Sequence, residues 1–383
     1  MKNVLLISAK ANMISQFNLR NIEILQSLGF KVHVGSNFLD FGSMSGEENE
    51  KLKAWLDEKG VVRHQLDFER ELGTLKSNMQ VFKQIRNVLK NGEEWEFIHA
   101  HSPIGAAIGR VAAKSLRVKT LYTAHGFHFF KGASLKKWAV FPVEWLLGFI
   151  TDGLVTINHE DYAISRWIPA KRRFYLPSIG IDVKKLMSID PELRKSFRNN
   201  VRKTLGILND AFVILNVGEL SVRKNQEVVI RAMAQMDASV HFIIAGVGPR
   251  RQEYQDLAAK LGVADRVHLL GYRTDKEALH AASDVFVFPS KREGFGIGGF
   301  EAMVDGLYII GSKNTGMVDY VVSPDLGVLV DPTSEQEILS ELEKVKNNGL
   351  NADVEKHRDF LLQFDKNNVD QIMREIYLTM SEK

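Results

Sequence analysis

Short runs of apolar and β-branched residues alternate along the chain with longer segments whose apolar positions recur every three or four residues. The short runs predict β-strands, and the longer segments predict amphipathic α-helices. A first series of predicted strands covers residues 4–8, 31–35, 61–66, 97–101, 120–125, 154–158 and 174–177, with helices between them, for example at 17–28 and 104–116. A second series covers residues 212–218, 240–246, 267–272, 285–289, 308–311 and 327–331.

Strands that alternate with helices are typical of parallel sheets, so the two series predict two doubly wound α/β domains of the Rossmann type. We expect residues 1–182 to form the first domain and residues 183–365 the second, with the linker in the polar, basic stretch 182–203. If the domains face each other across a cleft, ligands bind there at the carboxyl ends of the strands. The segment 366–380 has helical periodicity, with Val369, Ile372, Ile376 and Leu378 available for burial.

The composition narrows the class of protein. Of 383 residues, 45% are hydrophobic and 25% charged, which is enough apolar material for two cores. A formal net charge of +3 does not indicate a nucleic-acid partner. The sequence has no cysteine, which excludes disulfides and thiolate metal sites and fits a reducing cytoplasm.

Neither a signal peptide nor a membrane span is expected. The apolar run at residues 4–7 is short and leads into polar residues. The longest apolar stretch, 138–150, contains Pro142 and Glu144. It is shorter than the roughly 20 residues that a spanning helix needs.

A glycine-rich segment follows the predicted strand at residues 285–289 and opens a helix. Glu293 precedes the turn of Gly294, Phe295 and Gly296, and Glu301 follows on the helix. Glycine there costs about 1 kcal/mol relative to alanine, which makes sense where another group must approach the backbone. A helix N-terminus favours phosphate and carboxylates bind hydroxyls, so the order matches the sugar, diphosphate and ribose of a nucleotide sugar. A tight turn with two surface glutamates is the alternative.

Cationic residues follow the first strand of the second domain. Gly218 allows a sharp exit from the strand, and Arg223 and Lys224 place positive charge at its carboxyl end. Cations there would meet the negative charge that grows on a departing nucleoside diphosphate. An exposed basic pair that caps a helix is the alternative. Turns at Gly246 and at residues 271–273 are expected to bring backbone close to the same ligand.

Four histidines lie at the ends of two predicted strands in the first domain. His125 and His128 follow one strand, and His99 and His101 alternate at the end of another. A histidine at a strand end is well placed to contact a ligand, although each of these alone is more often structural. We expect His99 and His101 to point to opposite faces and to form no metal pair, and we predict no metal site.

Lysines and aromatic residues mix in the segment 133–149. Lys136 and Lys137 adjoin Trp138, and Trp145 follows within an apolar run. This mixture suits a helix at a membrane interface, with both tryptophans as anchors provided that the core does not bury them. A buried helix with a basic rim fits the pattern equally well.

Together these motifs resemble those of the family 4 glycosyltransferases, which are retaining enzymes of the GT-B architecture. The resemblance extends over nearly the whole chain, and its most specific element is the E-x7-E pair of Glu293 and Glu301. It implies that the first domain binds the acceptor and the second binds the donor. It also implies that residues 366–383 pack back on the first domain; docking on the second domain is the alternative.

The resemblance also implies roles for single residues. Glu293 would contact the donor sugar, Glu301 the ribose and Lys224 the diphosphate, while His125 would lie beside the transferred sugar. The implied catalytic set is His125, Lys224 and Glu293. The implied donor-binding set is Gly218, Arg223, Lys224, Gly246, Tyr272, Arg273, Glu293, Gly294, Phe295, Gly296 and Glu301, and the acceptor side would use Asn12, His101 and His128.

The pattern at residues 123–130 looks like that of the bacterial subgroup that builds capsular and exopolysaccharide repeat units. This likeness implies transfer of a hexose or N-acetylhexosamine from a UDP-sugar to a lipid-diphosphate-linked saccharide. It implies a cytoplasmic protein, peripheral on the inner face of the cell membrane. No cofactor, no metal and no nucleic acid is expected.

Two departures from the family pattern stand beside the resemblance. Residues 9–13 replace the Gly-Gly turn of many members, and Glu219 stands where arginine is usual, so that Arg223 is the candidate for the missing cation. A UDP-sugar 2-epimerase of the same architecture and a non-catalytic sugar-nucleotide-binding protein remain alternatives. A NAD-dependent dehydrogenase is disfavoured because no dinucleotide fingerprint follows the first strand.

Overall fold

The computed structural model describes residues 2–69, 72–91, 93–314 and 316–382. The chain forms two compact units, called domain one (Met1–Gly180 with Asn367–Lys383) and domain two (Ile181–Lys366). Within the described ranges, no helix is long and apolar enough to cross a membrane.

Each predicted strand is present, with ends within two residues of those expected. The strands of domain one are β1 (Asn3–Lys10), β2 (Lys31–Asn37), β3 (Val62–Gln65), β4 (Trp95–Ala100), β5 (Lys119–Ala124), β6 (Gly153–Thr156) and β7 (Arg172–Tyr175). Those of domain two are β8 (Phe212–Val217), β9 (Val240–Ala245), β10 (Val267–Gly271), β11 (Val285–Phe288), β12 (Tyr308–Ser312) and β13 (Gly327–Val330).

The strands pair in parallel in both sheets. The order is β3-β2-β1-β4-β5-β6-β7 in domain one and β10-β9-β8-β11-β12-β13 in domain two. From β1 and from β8, successive strands are added first toward one edge of the sheet and then toward the other, so the direction switches between β1 and β4 and between β8 and β11. Ligands of doubly wound folds bind at the carboxyl ends of the strands at such a switch point. The predicted fold class of two Rossmann-like α/β domains is confirmed.

Helices cover both faces of each sheet in the doubly wound manner. The first eight are α1 (Ala11–Phe17), α2 (Leu19–Ser27), α3 (Gly46–Glu58), α4 (Leu75–Leu89), α5 (Pro103–Lys114), α6 (Leu135–Trp138), α7 (Phe141–Gly148) and α8 (His159–Ser165). They are followed by α9 (Val183–Met187), α10 (Pro191–Leu205), α11 (Glu227–Met233), α12 (Arg251–Lys260), α13 (Lys276–Ala282), α14 (Ile297–Val304), α15 (Glu335–Asn348), α16 (Arg358–Leu362) and α17 (Lys366–Ser381). Short 3₁₀ helices lie at Ala264–Arg266 and Gly316–Asp319.

The helix predicted at residues 17–28 is present as α2, with ends within two residues of those expected, and a further helix, α1, precedes it and separates from it at Asn18. The side chain of Asn18 donates through Nδ2 to the carbonyl of Met13 at 3.1 Å. Asparagine side chains that bond to nearby backbone compete with helical hydrogen bonds. Helix α1 also begins directly after β1, so no separate turn divides strand from helix there.

The C-terminal helix α17 belongs to the core of domain one. Val369, Met373, Ile376 and Tyr377 are buried in one cluster with residues of β1 and β2. Leu378, expected to be available for burial, is 48% exposed. The buried residues of α17 recur every three or four positions along one face of the helix. Leu378 lies only two positions after Ile376 and therefore points away from that face.

Candidate active site

Two motifs that lie far apart in the sequence meet at the switch point of domain two. The loop after β8, residues 218–226 (the cation loop), carries Arg223 and Lys224, and the turn after β11, residues 293–296 (the glycine turn), begins with Glu293. The backbone N–H of Lys291 donates to the carbonyl of Arg223 at 2.8 Å and joins the two segments.

One carboxylate oxygen holds both cations. Glu293 Oε1 lies 2.6 Å from Arg223 Nη1 and 2.8 Å from Lys224 Nζ. The Lys224 side chain is 11% exposed, against 46% for Arg223, and its Nζ lies 4.3 Å from the centre of the Phe288 ring. Burial lowers the pKa of Lys224, while the Glu293 carboxylate opposes that shift. Lys224 is thus a buried, fixed cation and Arg223 a surface one.

Helix α14 begins at the glycine turn with an open N-terminus. Gly296 has a φ of +86°, which favours glycine, and it has no side chain to cap the first N–H groups. The Tyr320 hydroxyl donates to the Gly296 carbonyl at 3.0 Å. A Cβ at Gly298 would lie 3.6 Å from the carbonyl of Val217, so the helix starts beside the end of β8. The site therefore combines N–H donors and a positive dipole end with the cation loop.

The glycine turn is packed tightly from behind. Phe295 is buried against Phe300, Tyr320 and Phe364, so its side chain anchors the turn and is not available to a ligand. A Cβ at Gly316 would come 2.0 Å from the carbonyl oxygen of Gly294. The backbone of residues 294–296, which the family resemblance implies as the contact to the sugar, stays the candidate.

Gly246 supports the cation loop from the neighbouring strand. A Cβ there would lie 1.9 Å from the carbonyl oxygen of Gly218, and one at Gly248 would lie 2.4 Å from that of Leu220. The loop is also held by a hydrogen bond of 2.9 Å from the Gly218 N–H to the carbonyl of Ala245. These glycines let the loop pass close to β9.

The second glutamate of the motif has a partner that sequence reasoning missed. Glu301 lies on α14, and its Oε2 accepts from Lys276 Nζ at 2.5 Å. Lys276 opens α13 just after the turn of Tyr272 and Arg273. Tyr272 is exposed, whereas Arg273 donates to the Asp275 carboxylate at 2.7 and 2.5 Å. Lys276 and Glu301 lie 25 residues apart in the sequence, too far for a local sequence pattern to predict the pair.

Three histidines cluster at the ends of β4 and β5, and we call His99, His101 and His125 the histidine cluster. His101 Nδ1 lies 3.1 Å from His125 Nε2, and the ring centres of His99 and His101 are 4.1 Å apart. The expectation that His99 and His101 point to opposite faces is wrong. Side chains alternate along a strand with a period of two, so residues two apart share a face. His99 also bonds to the hydroxyls of Tyr377 at 2.9 Å and Thr123 at 2.8 Å.

The histidine cluster is uncharged at neutral pH. Burial lowers the pKa of His99 to about 3 and that of His125 to about 4, and it holds the pKa of His101 well below 6.5. These rings therefore act as neutral hydrogen-bond donors and acceptors. Among the described residues, no group of three or more histidines and carboxylates could hold a metal ion.

Two further residues predicted for the acceptor side lie outside this cluster's hydrogen bonds. Asn12, in the first turn of α1, donates through Nδ2 to Ser43 Oγ at 3.1 Å. His128 is exposed in the loop after β5. The structure thus joins His101 to His125, and within the described residues neither of these hydrogen-bonds to Asn12 or His128.

Comparisons with known proteins identify the family. Residues 197–363 match the family model described as glycosyl transferases group 1, and residues 3–156 match the model described as glycosyl transferase 4-like. The chain is 31% identical over 324 residues to a Bacillus subtilis (strain 168) protein named glycosyltransferase EpsD, covering 82% of this chain and 79% of that protein. This chain belongs to the group 1, family 4-like glycosyltransferases. The predicted family and enzyme class are confirmed.

Two further similar proteins match most of the length of this glycosyltransferase. It is 26% identical over 290 residues to the Escherichia coli UDP-Gal:alpha-D-GlcNAc-diphosphoundecaprenol alpha-1,3-galactosyltransferase, covering 71% of this chain and 73% of that enzyme. The solved structure of Anabaena HepE in complex with UDP and glucose superposes with a TM-score of 0.78 at 20% identity, covering 99% of this chain and 100% of HepE. The likeness to HepE shows a shared fold.

In domain one of the glycosyltransferase, α7 turns its charged residue inward. Glu144 accepts from Arg110 Nη1 at 2.6 Å and from Nη2 at 3.1 Å, and both side chains are buried. Arg110 also donates to Thr151 Oγ1 at 3.1 Å. A Cβ at Gly148 would come 2.7 Å from the Ile168 side chain, so the helix sits close to its neighbour. An ordinary surface helix turns its apolar side chains toward the core and its charged ones toward solvent, and α7 does the reverse.

The outer face of this region is apolar. Exposed apolar side chains of α6, α7 and a nearby loop form what we call the apolar patch: Leu135, Val140, Val143, Trp145, Leu146, Phe149 and Trp167. Trp138 is half-buried against Phe129 and Phe141 and is not a surface anchor. Trp167, which the sequence did not single out, is 62% exposed, and its ring centre lies 6.4 Å from that of Trp138.

Proposed function

We propose that this glycosyltransferase moves a hexose or N-acetylhexosamine from a UDP-sugar to a lipid-diphosphate-linked saccharide in surface polysaccharide synthesis, with retention of configuration. The observation that carries the proposal is the convergence of Lys224, Glu293 and the open N-terminus of α14 at one switch point. The printed name of the Escherichia coli relative supports the donor and acceptor classes, because it specifies UDP-Gal and a diphosphoundecaprenol-linked sugar.

Donor binding would exchange the partners of Glu293. Its Oε1 is held by Lys224 and Arg223, and a diphosphate would compete for both cations. The carboxylate would then accept hydrogen bonds from hydroxyls of the sugar. Glu301 would take the ribose, with the backbone near Tyr272 and Arg273 at the base.

Chemistry would rest on charge stabilisation and positioning. Negative charge grows on the UDP as its bond to the sugar breaks, and Lys224 and the helix N-terminus are fixed in advance to meet it. We therefore propose that no metal and no other cofactor is required. The acceptor would attack on the face that UDP leaves, without a covalent nucleophile, and His125 is the proposed partner of the transferred sugar.

The apolar patch is the surface by which the enzyme would dock on the membrane that holds its lipid-linked acceptor. Monomeric proteins seldom expose so many large apolar side chains together, and interfacial helices combine such a face with lysines. Anionic lipid would attract the exposed Lys136 and Lys137 at about 1 kcal/mol each. We propose reversible docking on the inner face of the cell membrane, weakened by salt.

Turnover with an isolated acceptor tests the reaction. The full chain, with EDTA present, is given UDP-glucose, UDP-galactose, UDP-N-acetylglucosamine or UDP-N-acetylgalactosamine and a polyprenyl-diphosphate-linked sugar. We expect an α-linked product by NMR from one of the donors. A β-linked product contradicts retention, and loss of turnover in EDTA contradicts metal independence. Epimerised UDP-sugar without acceptor would indicate an epimerase, and tight binding without turnover would indicate a non-catalytic protein.

Vesicle sedimentation tests the docking separately. Lys136→Glu with Lys137→Glu should abolish pelleting with anionic vesicles at low salt. The control, Lys83→Glu with Lys90→Glu, reverses one exposed charge on α4 and another just after its end and should pellet like the wild type. All three proteins should bind UDP equally by calorimetry. Equal pelleting of both double variants, or none of the wild type, would contradict membrane docking through this patch.

A further inference from the structure

Among the described residues, one fully buried ring nitrogen of the histidine cluster has no hydrogen-bond partner. His101 Nε2 is buried and unpartnered among the described residues, while its Nδ1 lies 3.1 Å from His125 Nε2. His125 Nδ1 makes no hydrogen bond within the described part of the chain, and the Phe17 ring lies 5.0 Å from the His125 ring. These contacts decide where the protons of two neutral imidazoles reside.

A neutral imidazole has one N–H donor and one lone-pair acceptor. If His125 donated from Nε2, His101 would have to carry its proton on Nε2, as a buried N–H without a partner. If His101 donates from Nδ1, its buried, unpartnered Nε2 is a lone-pair nitrogen, and the N–H of His125 lies on Nδ1 of a half-buried ring, where water or a ligand can reach it. Buried orphaned N–H groups are rare in proteins and under-satisfied acceptors less so, which favours donation by His101.

We propose that His101 is a positioning residue that holds His125 in the Nδ1–H tautomer, so that His125 presents a hydrogen-bond donor to its ligand. His125 Nε2 is occupied by the proton from His101 and cannot serve as that donor. Because burial lowers the pKa of His125 to about 4, the ring remains neutral at physiological pH and the donor carries no charge.

The ligand chemistry follows from this donor. A neutral N–H suits an oxygen of a sugar, and the identity of that oxygen as part of the transferred sugar rests on the proposed function. His99 lies against His101 but bonds elsewhere, to Tyr377 and Thr123. Removal of one of the His99 hydrogen bonds is therefore a control that leaves the His101–His125 pair in place.

Nitrogen NMR reads the tautomer without any ligand. Full-length protein is labelled with ¹⁵N-histidine, and long-range ¹H–¹⁵N spectra are recorded near neutral pH, with His125→Gln to assign the signals. We expect a protonated, pyrrole-type Nδ1 and an unprotonated, pyridine-type Nε2 in His125. The opposite pattern overturns the inference whatever the activity of the enzyme.

Three variants connect the tautomer to turnover. His101→Phe keeps a ring but removes the donor, and should lower kcat about tenfold, the effect of one lost hydrogen bond, with little change in the KM for the UDP-sugar. His101→Asn places an amide N–H near the former Nδ1 and should restore most of the rate and the wild-type tautomer. Tyr377→Phe removes a bond from His99 and should change neither.

The outcomes separate this inference from the proposed function. Wild-type kcat in His101→Phe would overturn the positioning role. If His101→Phe does not fold, failure of His101→Asn to keep the tautomer would do the same. The expected tautomer in a wild-type protein that turns over no donor would support His101 donation and count against the proposed function.

Discussion

Replacement of Lys224 by methionine separates the buried cation of the site from the exposed one. Lys224→Met keeps an unbranched side chain against Phe288 and removes the charge, and Arg223→Met is its matched partner in the same loop. Glu293 keeps one cation in each variant, because both lie within hydrogen-bond distance of its Oε1. Neither variant therefore leaves that carboxylate without a cationic partner.

The two side chains differ in how much water screens them. Lys224 is nearly buried, and a hydrogen bond to a charged group is worth about 1.5–3 kcal/mol, which predicts a loss of about 10- to 150-fold in kcat/KM. Arg223 is half-exposed, where an ion pair contributes about 0.2–1 kcal/mol, so its loss should cost at most about fivefold.

Initial rates with the active UDP-sugar, measured over a range of donor concentrations, give kcat and kcat/KM for each variant. If Lys224 meets charge that grows in the transition state, kcat should fall together with kcat/KM. Thermal unfolding of both variants serves as the control for folding. A larger loss in Arg223→Met than in Lys224→Met would refute the assignment of Lys224 as the principal cation.

Other predictions address the rest of the molecule. Glu301→Ala should weaken UDP binding by about 1.5–3 kcal/mol through lost bonds to the ribose, and unchanged affinity by calorimetry would rule that contact out. Gly298→Ala should fold normally, because its Cβ would have ordinary contact with Val217, yet bind UDP-sugar about tenfold more weakly if a phosphate approaches that backbone; equal affinity would argue against the anion site. Burial lowers the pKa of His33 to about 4, so the unfolded state binds more protons between pH 6.5 and 4. The free energy of unfolding should be level above pH 6.5 and fall below it by up to about 1.4 kcal/mol per pH unit from this residue, a slope that His33→Gln should reduce in urea titrations.

The order of elements could be predicted from the sequence because it depends on local periodicity. A central parallel strand buried on both faces is a continuous apolar run, whereas the edge strands β3 and β7 carry polar residues, and each of the thirteen predicted segments became a strand. The glycine turn was equally visible, since its glycines, Glu293 and Glu301 lie within one short segment. The helix predicted at residues 17–28 formed as α2 for the same reason, with Asn18, whose side chain bonds to the Met13 carbonyl, between it and α1.

Partners that lie far apart in the chain could not be predicted in the same way. Lys276 meets Glu301, Glu144 meets Arg110, and His101 meets His125 because strand order and helix packing bring them together. The same packing turns α7 so that its apolar face is outside, which its composition alone left undecided between core and surface. Periodicity is a property of neighbouring residues and can be read along the chain, whereas a hydrogen bond between distant side chains exists only once the sheets have set the distance between them.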